Sequence, residues 1–259
     1  MDGVQRDAVL TAFNQQIRQR PTPAHLAETD GDVIRVVAAE EGWAAVTWSA
    51  LTPAGADAAI RRQIDRFGQT GVEWEWKHYS YDTPPDLPHR LAAAGFTPEP
   101  AEALMVAEIS ELDLDVAVPA GVELRPVVDA AGVDALVEAQ NVAFGGDHAA
   151  TGRLVLAALT DEPPTVAAVV AMAGDIPISG ARMEFHQGTQ FASLWGGGTA
   201  PAWRGRGVFR SLVANRARLA AAAGFRYLQV DAMPTSRPIL GRLGFVELAT
   251  TTPYRHSAG

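Results

Sequence analysis

The chain has 259 residues and a net charge of −9, with 47% apolar and 20% charged residues. That length holds one large domain or two of ordinary size, and the composition is that of a soluble globular protein with a sizeable core. The absence of cysteine excludes disulfides, thiolate metal sites and a cysteine nucleophile. The acidity argues against nucleic acid as the main partner. No run reaches the roughly 18–20 apolar residues of a membrane span, and no basic start leads into an apolar run of signal-peptide length. No membrane partner and a cytoplasmic location are therefore the expectation. Arginine far outnumbers lysine, Lys77 being the sole lysine.

Residues 1–20 carry an apolar stripe at Val4, Val9, Leu10, Phe13 and Ile17 and read as a helix, ended by Pro21 and Pro23. Strands follow at 33–37 and 44–48. Residues 56–67 form an amphipathic helix with Ile60, Ile64 and Phe67 on one side, entered through the turn Thr52-Pro53-Ala54-Gly55. Residues 73–79 alternate as a half-buried strand. A short helix from Pro84 to Ala94 stops at Gly95, and 103–107 is another strand. The acidic, proline-bearing stretch 110–121 marks the expected boundary between two domains, 1–115 and 116–259.

Beyond it, 122–125 is a strand, 129–144 and about 150–160 are helices, and 166–172, 178–185 and 190–195 are strands. A helix opening near Val208 runs to Ala223. Strand 227–231, short helix 237–242, strand 245–249 and a polar tail complete the chain. His89 to Phe96 and Pro238 to Phe245 both read Leu-x-x-x-Gly-Phe at the same place in a helix–strand order, which suggests two copies of one α/β unit.

The second copy alone holds Trp195-Gly196-Gly197-Gly198-Thr199, a proline turn, and Arg204-Gly205-Arg206-Gly207-Val208-Phe209-Arg210. Glycines allow close approach to the backbone, and the first N–H groups of a helix lack partners and sit at the positive end of its dipole. Strand, glycine–arginine loop and helix start are therefore the parts of an anion site. The loop is no dinucleotide fingerprint, because Arg210 holds the third glycine position, and no P-loop, because no Lys-Ser/Thr pair follows.

The loop, the order of elements over 122–250 and the closing Leu243-Gly244-Phe245 resemble the GNAT family of N-acetyltransferases. The resemblance implies an α/β (α+β) fold of two GNAT-like units. Each would have a central mixed, mostly antiparallel sheet flanked by helices, with a splayed strand pair in the C-terminal unit and a degenerate N-terminal unit without a cofactor loop. It implies acetyl-CoA as co-substrate, with no metal. The pyrophosphate would rest on backbone N–H groups of Arg204, Gly205, Arg206, Gly207, Val208 and Phe209. The pantetheine would lie along Gly197, Gly198 and Thr199, and Arg204, Arg206 and Arg210 would neutralise the phosphates. Ser236 would touch the CoA arm or cap its own helix. The acceptor would be a small-molecule or peptide amine. A homodimer is allowed for, and nothing in the sequence fixes the oligomeric state.

The pattern departs from the family at three places. Phe209 is large where the loop is usually small. Leu240 and Met233 stand where a tyrosine and an asparagine are familiar. Ser193 lies near the position of a glutamate base. Glu184 and His186, two apart on one strand face, and Asp231, at the end of the strand on the other side of the splay, are the remaining acid–base candidates, with Tyr254 and His256 in the tail. The leading expectation is acetyl transfer by direct attack of an amine on the thioester. The alternative is a non-catalytic acyl-CoA-binding or regulatory protein.

Overall fold

The computed structural model describes residues 3–22, 24–37 and 43–257. In chain order they form α1 (Gly3–Phe13), a π-helical turn (Asn14–Arg18), β1 (Ala27–Asp30), β2 (Val33–Val36), β3 (Ala45–Ser49), α2 (Ala56–Gly68), β4 (Trp74–Tyr79), α3 (Leu87–Ala93), β5 (Thr97–Pro98) and β6 (Glu102–Glu108). There follow β7 (Glu123–Pro126), α4 (Ala130–Phe144), α5 (Ala149–Ala158), β8 (Val166–Ala173), β9 (Ile176–Phe185), β10 (Phe191–Thr199), α6 (Val208–Ala222), β11 (Tyr227–Ala232), α7 (Arg237–Arg242) and β12 (Val246–His256). This is a mixed α/β fold.

The local reasons are visible at single residues. The Asp129 carboxylate accepts the Gly132 N–H at 2.8 Å and caps α4. Gly145, at φ 76°, ends α4 by returning its N–H to the Asn141 carbonyl. Helix α2 buries Ala56, Ala59, Ile60, Gln63 and Phe67, a helical spacing along one face.

The chain divides into two compact units. One comprises Met1–Met105, Asp231–Leu240 and Val246–Gly259; the other comprises Val106–Val230 and Gly241–Phe245. In the first unit the strands run β1-β2-β3-β4-β12, with β5 pairing β12. There β1–β2, β2–β3, β4–β12 and β5–β12 pair antiparallel, and β3–β4 pairs parallel. Its core gathers Ile60, Phe67, Trp74, Trp76, Phe96 and Tyr254, and Phe67 stacks on Trp74 with ring centroids 4.1 Å apart. In the second unit the order is β11-β10-β9-β8-β7, antiparallel except β10 with β11. Val133, Leu136, Val155 and Val170 pack in one core cluster, and Val169, Ile178, Val208 and Leu212 in another. The sheet is thus covered on both faces.

The units differ from the division expected at 115/116. Residues 231–240 and 246–259 group with the first unit, because β12 pairs with β4 from Thr251↔Tyr79 to His256↔Trp74. The presumed polar tail is therefore strand. Pro253 disguised it, since a proline cannot donate to a ladder, and here its carbonyl accepts the Glu99 N–H at 2.9 Å. The first helix is also shorter than its apolar stripe. It gives way after Phe13 to the π-turn, where the Thr47 hydroxyl holds the Arg18 carbonyl at 2.9 Å. Residues 1 and 2 of that expected helix lie outside the described residues. Strand β10 runs on to Thr199 through its glycines.

Candidate functional site

Strands β10 and β11 pair in parallel only at Phe191↔Tyr227, Ala192↔Leu228 and Ser193↔Gln229. Beyond Ser193, β10 keeps its antiparallel partner β9 but has no registered partner on the β11 side. The expected splay begins there. Between Trp195↔Arg182 and Gly198↔Gly180 the register shifts by one residue, and Gly196 sits at φ 57°. This is a β-bulge built on a left-handed glycine.

The bulge leaves alternate glycines facing opposite ways. A Cβ on Gly198 would stand 2.4 Å from the Phe144 ring and 2.9 Å from Ala143 Cβ, both on α4. A Cβ on Gly197 would meet the Phe209 ring at 3.1 Å and Arg216 Nη2 at 3.5 Å, both on α6. Phe209 thus turns its ring onto Gly197 and leaves its N–H at the helix start. Below the bulge, the Ser179 hydroxyl donates to the Gly198 carbonyl at 2.6 Å. The Thr199 hydroxyl, 2.8 Å away, therefore donates to Ser179 Oγ.

From Thr199 the chain passes through a short turn, Pro201–Trp203, into α6. Gly205 and Gly207 have φ of 75° and 87°, a region that L side chains avoid. Ser211 N–H returns to the Gly207 carbonyl. Among the described residues, the N–H groups from Gly205 to Arg210 have no acceptor. No acidic residue stands in the first turn of α6. The three arginines are already engaged in different ways. Arg204 donates to the carbonyls of Thr199 at 3.1 Å and Ala143 at 3.0 Å, so its guanidinium holds the loop. Arg206 lies over the Trp203 ring at 4.8 Å. Arg210 pairs with Asp113 at 2.8 Å in an exposed pair worth little by itself.

The α4-facing side of β9 and β10 carries a polar row. Glu184 and Ser193 are register partners, as are Arg182 and Trp195. Arg182 Nε contacts Glu184 at 3.3 Å. His186, at the end of β9, is buried. The Ser193 hydroxyl donates to Gln229 Oε1 at 2.6 Å. The same oxygen is 2.5 Å from His186 Nε2, so it accepts the imidazole N–H there. Burial pushes the His186 pKa down to about 4, so the ring is neutral at pH 7. Gln140 on α4 donates to the Gly196 carbonyl at 3.2 Å, while its Oε1 is buried without a partner, as is Trp195 Nε1.

Four other expected residues fall in the first unit. Asp231 is buried and forms an ion pair with Lys77 at 3.0 Å, Lys77 also reaching Glu102 at 3.4 Å. Burial pulls the Lys77 pKa down, but Asp231 and the neighbouring anions more than offset it, so the ammonium is held charged. Asp231 is thus held in an ion pair. The Ser236 hydroxyl donates to the Met233 carbonyl at 3.2 Å, within its own turn. Tyr254 belongs to the core with Trp74 and Phe96, and the partly exposed His256 ring lies against the same two rings.

The first unit is built differently at the corresponding place. Its β3–β4 register stops at Val46↔Trp76. Arg18 crosses the strands just past that point, donating from Nε to the Thr47 carbonyl at 2.9 Å and from both Nη groups to Asp82 at 2.8 Å. Asp82 in turn accepts the Tyr79 N–H at 3.0 Å. At the start of α2, Gly55 and Ala56 N–H groups close onto Thr52 at 3.1 Å. Among the described residues this closes the first N–H groups of that turn, whereas the second unit leaves those from Gly205 to Arg210 without an acceptor.

Sequence reasoning did not single out Gln140, Arg182, Arg216 or Gln229. Their signal was a polar residue interrupting an apolar face, as in Leu228-Gln229-Val230, but such interruptions are common and only pairing reveals partners. Ser193, noted for what it replaced, proves to be the centre of the buried chain.

By sequence, no protein-family model and no curated protein matches the chain. In three dimensions it is similar to a GCN5-related N-acetyltransferase from Kribbella flavida, with TM-score 0.68 and 18% identity over 99% of this chain and 95% of that one. A GCN5-related N-acetyltransferase from Sphaerobacter thermophilus gives 0.64 and 13% over 88% and 77%. A tandem GNAT protein from the clavulanic acid biosynthesis pathway gives 0.58 and 15% over 88% and 78%. The chain has the fold of the GNAT acetyltransferases. Among the described residues no helix is long and apolar enough to cross a membrane, and no group of side chains is arranged to hold a metal ion.

Proposed function

We propose that the second unit is an N-acetyltransferase that uses acetyl-CoA and an amine acceptor. The observation that carries this reading is the run of acceptor-free N–H groups from Gly205 to Arg210, placed where β10 leaves its parallel partner. These groups suit a pyrophosphate, each charge-assisted hydrogen bond contributing about 1.5–3 kcal/mol. Gly197, Gly198 and Thr199 suit an extended arm, and Arg206 and Arg210 lie beside the loop to neutralise charge. Bound there, acetyl-CoA supplies an activated thioester: a C–N bond replaces the C–S bond, and the proton leaving the amine balances the one taken by the departing thiolate.

The chain's own contribution is positioning and proton handling. Glu184, partly exposed on the α4-facing side, is the best placed proton acceptor. His186 is neutral, and its Nε2–H is committed to Ser193. Much of the rate then comes from holding the reactants together. A cytoplasmic location belongs to the same proposal.

Calorimetry with acetyl-CoA tests the site. Gly207→Glu and Arg206→Glu should each weaken binding at least tenfold. Arg206→Glu adds no backbone strain, because Arg206 does not take a positive φ, and its side chain is exposed, so its thermal midpoint should stay unchanged. Full affinity in both variants rejects the assignment.

A second reading, binding without turnover, is favoured by one observation. Leu240, where a tyrosine is familiar, is a buried core residue with no proton to give. Free-thiol release over an amine panel separates the two readings.

A further inference from the structure

The α4-facing side of the bulge holds two buried polar atoms of opposite kind, neither with a partner: Gln140 Oε1, an acceptor, and Trp195 Nε1, a donor. Gln140 is 1% exposed. Leaving such atoms unpaired is costly, so native structures that keep them usually present them to a ligand or water. Both belong to one spot. Trp195 is the residue before Gly196, and Gln140 Nε2 and Arg182 Nη1 both stand within 3.5 Å of the position a Gly196 Cβ would take. The Arg182 guanidinium lies over the Trp195 ring at 5.6 Å.

Arg182 is only half used. Its Nε meets Glu184, and among the described residues its two Nη groups have no hydrogen-bond partner. A guanidinium edge of this kind matches a carboxylate with two parallel hydrogen bonds. Glu184 has one oxygen on Arg182 and none of the described donors on the other. The row therefore offers donors at Arg182 and Trp195 beside acceptors at Gln140 and Glu184. That pattern complements an anion and an amine carried a few ångströms apart on one small molecule.

We infer that the acceptor is an amine bearing its own carboxylate, of the α-amino acid type. Its carboxylate binds the Nη edge of Arg182 and the Trp195 N–H, and its amine faces Gln140 and Glu184. This rests on the acetyltransferase reading of the same unit.

The test uses the full chain, acetyl-CoA and the proteinogenic amino acids, each beside its methyl ester, with free-thiol release as readout. The ester keeps the amine and removes the carboxylate charge. At least one free amino acid should exceed its ester tenfold or more in kcat/KM. Arg182→Met should erase that margin through KM, leaving CoA affinity by calorimetry within twofold. Trp195→Phe, which keeps an aromatic ring but removes the indole N–H, should raise KM for the acid several-fold more than for the ester, a readout that does not depend on how well Arg182→Met folds. Esters matching the acids, or a margin that survives Arg182→Met, overturns the inference alone, as does CoA binding with no turnover of any acid. Failure of the unaltered chain to bind CoA overturns the transferase reading and this one with it.

Discussion

Arg18 and Asp82 form a two-pronged ion pair, 2.8 Å on each arm, and both side chains are almost wholly buried. The guanidinium also lies over the Tyr79 ring at 4.0 Å and the Trp48 ring at 4.7 Å. It fastens the π-turn after α1 to β3 and to the end of β4. Removing one partner strands the other charge away from water, which typically costs about 3–5 kcal/mol. Asp82→Ala is expected to lower stability by that order in urea denaturation. Adding Arg18→Met should restore a large part of it. A double variant as unstable as the sum of the singles would show that the pair does not act as a unit.

Ser193 predicts a pH dependence as well as a stability. Ser193→Ala removes both the acceptor of His186 Nε2–H and a donor to Gln229, at about 1–3 kcal/mol. The sign for His186 follows from its pKa of about 4, below the ordinary 6.5. Between these values the unfolded chain binds more protons than the folded one, so stability rises with pH through this window. It is complete above about 6.5 and is lost as the pH falls toward 4, with an amplitude of about 3 kcal/mol. His186→Gln should flatten that stretch of a stability–pH profile. An unchanged slope would mean that other groups set the acid limit.

The sequence carried the fold further than the chemistry, for physical reasons. The glycine–arginine loop was legible because φ above zero leaves little choice but glycine at 205 and 207, and because an anion site is local in sequence. The splay and bulge followed from the glycine run 196–198, of which Gly196 alone takes a positive φ. The C-terminal strand was hidden by Pro253, and the unit division was hidden with it, because strand exchange is a property of pairing rather than of any local pattern. Asp231 read as a free carboxylate until Lys77, 154 positions away in sequence, came to lie against it. Gln140 and Arg182 acquire meaning only from the atoms that fail to reach them.

Lys77 holds two carboxylates together in the first unit, Asp231 and Glu102. Its raised pKa means that its stabilisation is full below the ordinary lysine value and is lost only at high alkalinity, so neutral pH lies on the plateau. Lys77→Met leaves the buried Asp231 carboxylate and the partly buried Glu102 without their cation and should cost about 3–5 kcal/mol at pH 7. Burial, the largest influence on Glu102, already pushes its pKa upward, and without Lys77 it should rise further. A raised carboxyl pKa makes the folded state bind the extra proton, so the deficit of the variant should shrink between pH 7 and pH 5. Denaturation at the two pH values decides it.

Gly198 is fixed by packing, not by its dihedral angles. A Cβ there would collide with the Phe144 ring and with Ala143. Gly198→Ala is expected to cost about 1–3 kcal/mol. Phe144 is half exposed and able to swing away, so Phe144→Ala should recover part of the loss and leave only the Ala143 contact. No recovery in the double variant would place the strain in the β10 backbone instead.

Arg216 is the least compensated charge of the second unit. It is 1% exposed, and among the described residues its hydrogen bonds go to the Leu212 and Arg182 carbonyls, at 3.2 and 3.0 Å. Burial drives its pKa down, with no carboxylate to oppose it. A buried charge without a counter-ion is a net cost, and methionine offers similar length with no charge. Arg216→Met is therefore expected to leave stability unchanged or raise it by about 1–3 kcal/mol, the gain being reduced by the two carbonyls that lose a donor. The sign is the decisive quantity. A loss above 3 kcal/mol would mean that the guanidinium, through those two carbonyls, holds β9 and α6 together more strongly than its burial opposes them.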